Sequence, residues 1–127
     1  TIISPRIVLT EAITNLGKQV AYDPFLGTIK GCFEQGYSAV FVEDEAYADL
    51  RLTLAVATEQ RRERLSEKYP YFLFATGNLS LVNVATGEEI MNIPLGEQKG
   101  ADFHSAGRAG MAAITKLEKN LSLPICQ

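Results

Sequence analysis

Ala48-Asp-Leu-Arg-Leu-Thr-Leu-Ala-Val-Ala-Thr58 and, after a charged interruption, Asn78-Leu-Ser-Leu-Val-Asn-Val-Ala-Thr-Gly-Glu-Glu-Ile-Met-Asn-Ile93 decide how this chain folds. In the first stretch Leu50, Leu52, Leu54 and Val56 alternate with Arg51, Thr53, Ala55 and Ala57. That period of two sends one set of side chains into a core and the other towards solvent. Both stretches therefore read as sheet strands. The second contains a tight turn, Val84-Ala-Thr-Gly-Glu88, in which Gly87 supplies the positive φ that a short hairpin loop requires. Glu89 to Ile93 returns as the last strand, and Pro94 limits it to an edge position or an end.

Working outward, Thr58 to Lys68 is charged and Tyr69-Pro-Tyr-Phe-Leu-Phe-Ala75 restores the alternation, which predicts a long antiparallel hairpin with a polar tip. A short helix over Glu59–Glu67 is the other reading, since those residues are good helix formers. Gly77 marks a bulge or bend that lets one strand continue to Val84. Upstream, Tyr37-Ser-Ala-Val-Phe-Val42 is short, apolar and rich in strand formers, and Glu43-Asp44-Glu45 reads as a solvated turn. Asp23-Pro24 opens a helix carrying Phe25, Leu26, Ile29, Cys32 and Phe33 on one side and ending at Gly36. Ser4-Pro5 gives the same start signal, so Pro5 to Leu16 reads as a helix, with a strand as the other reading because Ile7-Val-Leu-Thr10 is β-branched. Downstream, Gly96 to Gly100 reads as a polar loop. Asp102 or Ser105 then caps a closing helix whose small residues, Ala106 to Ala113, let it lie close to the sheet.

The expected architecture is α+β: a four-stranded, mainly antiparallel sheet with helices packed on one face, and residues 1–127 as a single domain. The core between sheet and last helix is expected from Leu52, Leu54, Leu81, Ala109, Ala113 and Leu117. With 127 residues, 46% of them hydrophobic and 21% charged, the chain can bury roughly two thirds of its unfolded surface in one core.

A formal charge of −3 gives no long-range field for a polyanion, and the arginines of Gln60-Arg-Arg-Glu-Arg64 are interleaved with Glu59, Glu63 and Glu67. A solvated, self-neutralising face is the reading, and no nucleic-acid partner is expected. Cys32 and Cys126 are too few for a disulfide scaffold and have no metal-ligand spacing; a bridge between them is open if the protein is exported. His104 is the single histidine, which excludes a two-histidine metal site and leaves any triad dependent on it. No nucleophile elbow, phosphate loop or metal spacing accompanies it, so no catalytic residue, metal or cofactor is expected.

Tyr47-Ala-Asp-Leu-Arg-Leu52, the strand Leu79 to Val84 with its Thr86-Gly87-Glu88 turn, and Ala106 to Leu117 with alanines facing the sheet resemble a diffuse group of bacterial envelope domains. The group includes the curli-secretion lipoprotein, the lipoprotein activators of penicillin-binding proteins, flagellar assembly proteins of the outer-membrane ring and the N-terminal domain of the Tol-system propeller protein. The resemblance covers roughly residues 36–121. It implies a domain that binds and assembles in the periplasm or at the outer membrane, and it carries over no catalytic residue. A helix over Pro5–Leu16 departs from the group, which tends to open with a strand, and no N-terminal lipid-attachment cysteine is present. The chain is expected to be a mature form or a domain cut from a longer exported chain, with membrane anchoring through a missing N-terminal segment. The partner is expected to be a protein or a second copy, meeting an edge strand at Ser38, Val40 and Val42. The rival reading is a small enzyme or ligand-binding domain with a cleft near Asp23, Tyr47, Asp49 and His104.

Overall fold

A computed structural model describes residues 4–21 and 23–121. Six strands, two helices and one 3-10 turn follow in the order β1 (Arg6–Asn15), β2 (Lys18–Gln19), α1 (Leu26–Tyr37), β3 (Val40–Val42), the turn Glu45–Tyr47, β4 (Leu50–Glu59), β5 (Tyr71–Asn83), β6 (Glu89–Asp102) and α2 (Ala106–Lys119). One sheet takes them in the order β2-β1-β4-β5-β6, with β3 pairing β1 as well. The sheet is mixed: β4, β5 and β6 are antiparallel neighbours, while β1 runs parallel to both β4 and β3. The expected four-stranded, mainly antiparallel sheet is thus too small and too uniform, although the α+β class and the helices on one face are right.

The opening segment is the main correction. Residues 6–15 form a strand, not a helix, because Ile7, Leu9 and Ile13 share one face with the β-branched run beside them, and that alternation outweighs the Ser4-Pro5 start signal. Once extended, β1 pairs with β4 from Ile7↔Leu50 to Thr14↔Ala57. The connection from β1 through α1 to β3 is then the crossover that two parallel strands need. The second correction is at the far edge. β6 runs straight through Pro94 and the supposed loop 96–100, with Pro94 opposite Asn78 and Lys99 opposite Phe74. Proline lacks a donor, but on an edge strand that side of the backbone has no neighbour, so no ladder bond is lost. The register shift between Ala75 and Gly77 is the bulge anticipated at Gly77, and residues 60–70 form the polar hairpin tip, not a helix. Gly87 has φ 75° in the β5–β6 turn.

Leu52, Leu54, Leu81, Ala109, Ala113 and Leu117 are all buried, as expected, with Ile7, Ile13, Phe25, Ile29 and Phe33 beside them. Ser105 caps α2 by accepting the Arg108 N–H at 3.1 Å, and Asp102 accepts from His104 and Ser105 just before it. The helix lies so near β6 that a Cβ on Gly100 would strike the Ala109 carbonyl and the Ala113 backbone. At the end of β1, Asn15 donates to the Gly107 carbonyl at 2.7 Å and accepts from Thr58 at 2.7 Å, tying β1, β4 and α2 through one half-buried polar cluster. Thr28 of α1 donates to Glu118 of α2 at 2.8 Å, so the two helices are joined across the same face.

Candidate functional site

The edge strand singled out from sequence is shorter than expected. Tyr37 is still helical, and Ser38 is the C-cap of α1, in the left-handed region at φ 54° with its N–H on the Phe33 carbonyl. Only Val40–Val42 are extended. β4 occupies one side of β1, so β3 lies on the other side, beside the start of β1, and has no strand beyond it among the described residues. Val40 donates its N–H to Pro5 at 2.9 Å, and by the alternation of a parallel ladder the outward-facing backbone pair belongs to Phe41. The Val40 side chain is 50% exposed. The acidic residues after β3 form the turn anticipated: Asp44 accepts from the Ala46 N–H and Glu45 pairs with Arg51 at 2.6 Å.

The four residues of the rival cleft are not brought together. Tyr47 and Asp49 lie before β4, where Tyr47 is exposed and Asp49 pairs with Arg6 at 3.3 Å. The Arg6 backbone N–H, and then its guanidinium, hold the Asp49 carboxyl below the usual range. His104 is exposed beyond the far end of the sheet, with its N–H on Asp102 at 2.7 Å. The ten residues of β4 separate the two positions, a span of about 30 Å. Asp23 accepts the Phe25 N–H at 2.8 Å at the start of α1 and faces Glu11 on β1. Burial pushes the Glu11 carboxyl up to about 8, helped by the hydrogen bond and charge of Asp23 and opposed by Lys30. Its Oε2 is buried without a partner among the described residues. This carboxyl pair was not singled out from sequence. Glu11 sits at an inward position of β1, where the helix reading of residues 5–16 gives it no inward face.

A second feature missed from sequence is a cleft on the face of the sheet away from the helices. The β4–β5 connection folds back over β5, placing the Arg61 guanidinium 4.1 Å from the Phe74 ring, and on the same face the Lys99 ammonium of β6 stands 4.0 Å from the Phe72 ring. Arg64 reaches past the strand to lie 4.2 Å from the ring of Tyr71, whose position alternates to the other face. A cavity of about 480 Å³ lies between connection and strands. At the opposite end, on the helix side, an apolar cavity of about 310 Å³ lies among Ile7, Phe33, Tyr37, Leu50, Leu81 and Met91. Among the described residues no group of three or more His, Cys, Asp and Glu is placed to hold a metal, and no helix is long and apolar enough to cross a membrane. Cys126 lies outside the described residues, and so does the disulfide question.

Fold and site together define a small α+β domain with an open mixed sheet and helices on one face. No protein-family model matches this sequence, and no curated protein matches it. Among solved structures it is similar to lipoprotein GNA1162 from Neisseria meningitidis, at 10% identity over 91% of this chain and 96% of that one, with a TM-score of 0.48. It is also similar to the PelC dodecamer from Paraburkholderia phytofirmans, at 16% identity over 93% and 88%, with a TM-score of 0.48. A third is protein XCC0632 from Xanthomonas campestris, at 12% identity over 92% and 81%, with a TM-score of 0.41. At these scores the likeness is one of chain trace. All three are bacterial proteins and one is named a lipoprotein. None bears the name of the curli-secretion, penicillin-binding-protein activator, flagellar-ring or Tol proteins.

Proposed function

We propose that this chain is a non-enzymatic binding and assembly module of a bacterial cell-envelope complex, periplasmic or outer-membrane-associated, that meets a second copy or a partner strand at the β3 edge. The observation that carries this reading is the unequal protection of the two sheet edges. β6 contains Pro94, lies under α2 and has its Lys99 carbonyl bonded by Lys116 at 2.9 Å. β3 contains neither lysine nor proline, and Val40 stands half exposed beside the outward backbone pair of Phe41. Proteins cover, charge or twist an edge that must not pair, so an edge without such protection fits a pairing surface. One outward backbone pair supplies only part of the contact, and the side chains of Val40 and Val42, with Ser38 before them, supply the rest. The envelope setting rests on the sequence resemblance of residues 36–121. The separation of Asp23, Tyr47, Asp49 and His104 supports a module without catalysis.

The test is sedimentation velocity of the wild type and of Val40→Lys over a concentration series. The substitution puts a charge on an exposed edge side chain and leaves the Pro5 hydrogen bond in place. Association of the wild type that is lost in a folded Val40→Lys supports the reading. Equal sedimentation of the two proteins refutes pairing between copies at this edge.

A further inference from the structure

We infer that the cleft beneath the β4–β5 connection is a docking site for an acidic segment of a partner protein, one in which carboxylates alternate with apolar side chains. The site is separate from the β3 edge and goes beyond the function proposed above. Four cations, Arg61, Arg62, Arg64 and Lys99, line it against one carboxylate, Glu63, in a chain of net charge −3. Arg61 is already committed to Glu59 and Glu97. Arg62, Arg64 and Lys99 form no ion pair among the described residues. Arg64 is held over Tyr71 with one guanidinium N–H on the Phe103 carbonyl at 3.0 Å. A guanidinium stacked on a ring has lost much of its conformational freedom and keeps edge donors in a fork that matches a carboxylate.

The apolar half of the site is equally exposed. Leu65 is 86%, Tyr69 51% and Phe72 39% exposed, so large apolar side chains stand in solvent beside the unpaired cations. Arginine and aromatic side chains gathered around one concavity are the composition of protein–protein anchors. A nucleic acid fits less well. Of the three rings that line the cleft, Phe72 and Phe74 already have Lys99 and Arg61 over one face, which leaves Tyr69 as the open one, and a single open ring is a poor platform for successive stacked bases. An anionic lipid surface also fits less well, because the cations line a concave cleft and do not project from a flat or convex face.

The experiment is fluorescence anisotropy with a labelled twelve-residue peptide of alternating Glu and Leu, and its Gln-for-Glu counterpart as control. A single-stranded oligonucleotide and phosphatidylglycerol vesicles are run in parallel. The acidic peptide is expected to bind saturably, to weaken as salt is raised, and to lose about tenfold or more in affinity for the Gln peptide and for the Arg62→Gln/Arg64→Gln double variant. The variant's thermal melt should match the wild type. Lys99→Gln and Leu65→Ser serve as independent variants if the double change perturbs folding, and each is expected to weaken the same peptide. Equal binding of acidic and neutral peptides, or acidic-peptide binding unmoved by these variants, overturns the inference. So does tighter binding of the oligonucleotide or the vesicles through the same residues.

Discussion

At one edge of the sheet β6 runs for 14 residues with Pro94 in its middle and α2 against its inner side, whereas the other edge is shared by β2, 2 residues with Lys18 beside the end of β1, and β3, 3 residues beside its start. Length and protection go together. A long strand offers many unpaired backbone groups, and here it is blunted by a residue without a donor, by a lysine on one carbonyl and by the closely packed helix. A short strand offers only one outward pair, and beyond that shortness β3 carries no proline, lysine or, among the described residues, covering helix on its outer side. β6 therefore belongs to the stable body of the domain, and a further strand meets the least resistance at β3.

The largest expected effect breaks the protected edge. Gly100→Ala places a methyl group where the Ala109 carbonyl and Ala113 backbone stand. It should lift α2 from β6 and cost about 3 kcal/mol, the upper end for overpacking. A chemical denaturation midpoint equal to that of the wild type would show that the helix does not hold this edge. Ala113→Leu acts on the same contact from the helix side, where the residue is fully buried, and should cost about 1–3 kcal/mol. Next to the β3 side, Glu11 ties stability to pH. Its native carboxyl binds a proton up to about pH 8, against 4.5 for the ordinary value, so the native state holds more protons than the unfolded chain between those limits. Stability should therefore fall as pH rises from about 4.5 to about 8 and level off above that window, with Glu11→Gln removing this slope, while below it the lowered Asp49 and Asp102 carboxyls make stability fall as pH falls. Thermal melts across pH 4–9 check it. The smallest effect on stability is at β3 itself, where Val40→Lys should change it by about 0.5 kcal/mol or less because the side chain is half exposed.

The β4–β5 hairpin and the face of α2 were legible because each rests on a local period: Leu52, Leu54 and Val56 alternate without interruption, and Ala109, Ala113 and Leu117 recur at helical spacing. β1 was obscured because Glu11 breaks its inward apolar set and Ser4-Pro5 imitates a helix start. Pro94 hid the second half of β6, since a proline is compatible with a strand only at an edge, and edge position is a property of the whole sheet. The cleft depends on contacts that sequence spacing does not announce. Arg61 meets Phe74 across the hairpin tip and Lys99 meets Phe72 across strands. Charge interleaving likewise read as self-neutralisation for the whole Gln60–Arg64 stretch, whereas in the fold Arg61 is neutralised partly by the distant Glu97, and Arg62 and Arg64 form no ion pair among the described residues.

Sedimentation velocity of Val40→Lys beside the wild type, with their melts recorded in the same buffer, tests the unequal-edge account most directly. The wild type is expected to associate with rising concentration, the variant to stay monomeric and the two melts to coincide. A wild type that stays monomeric throughout, or a variant that associates as the wild type does, would contradict it.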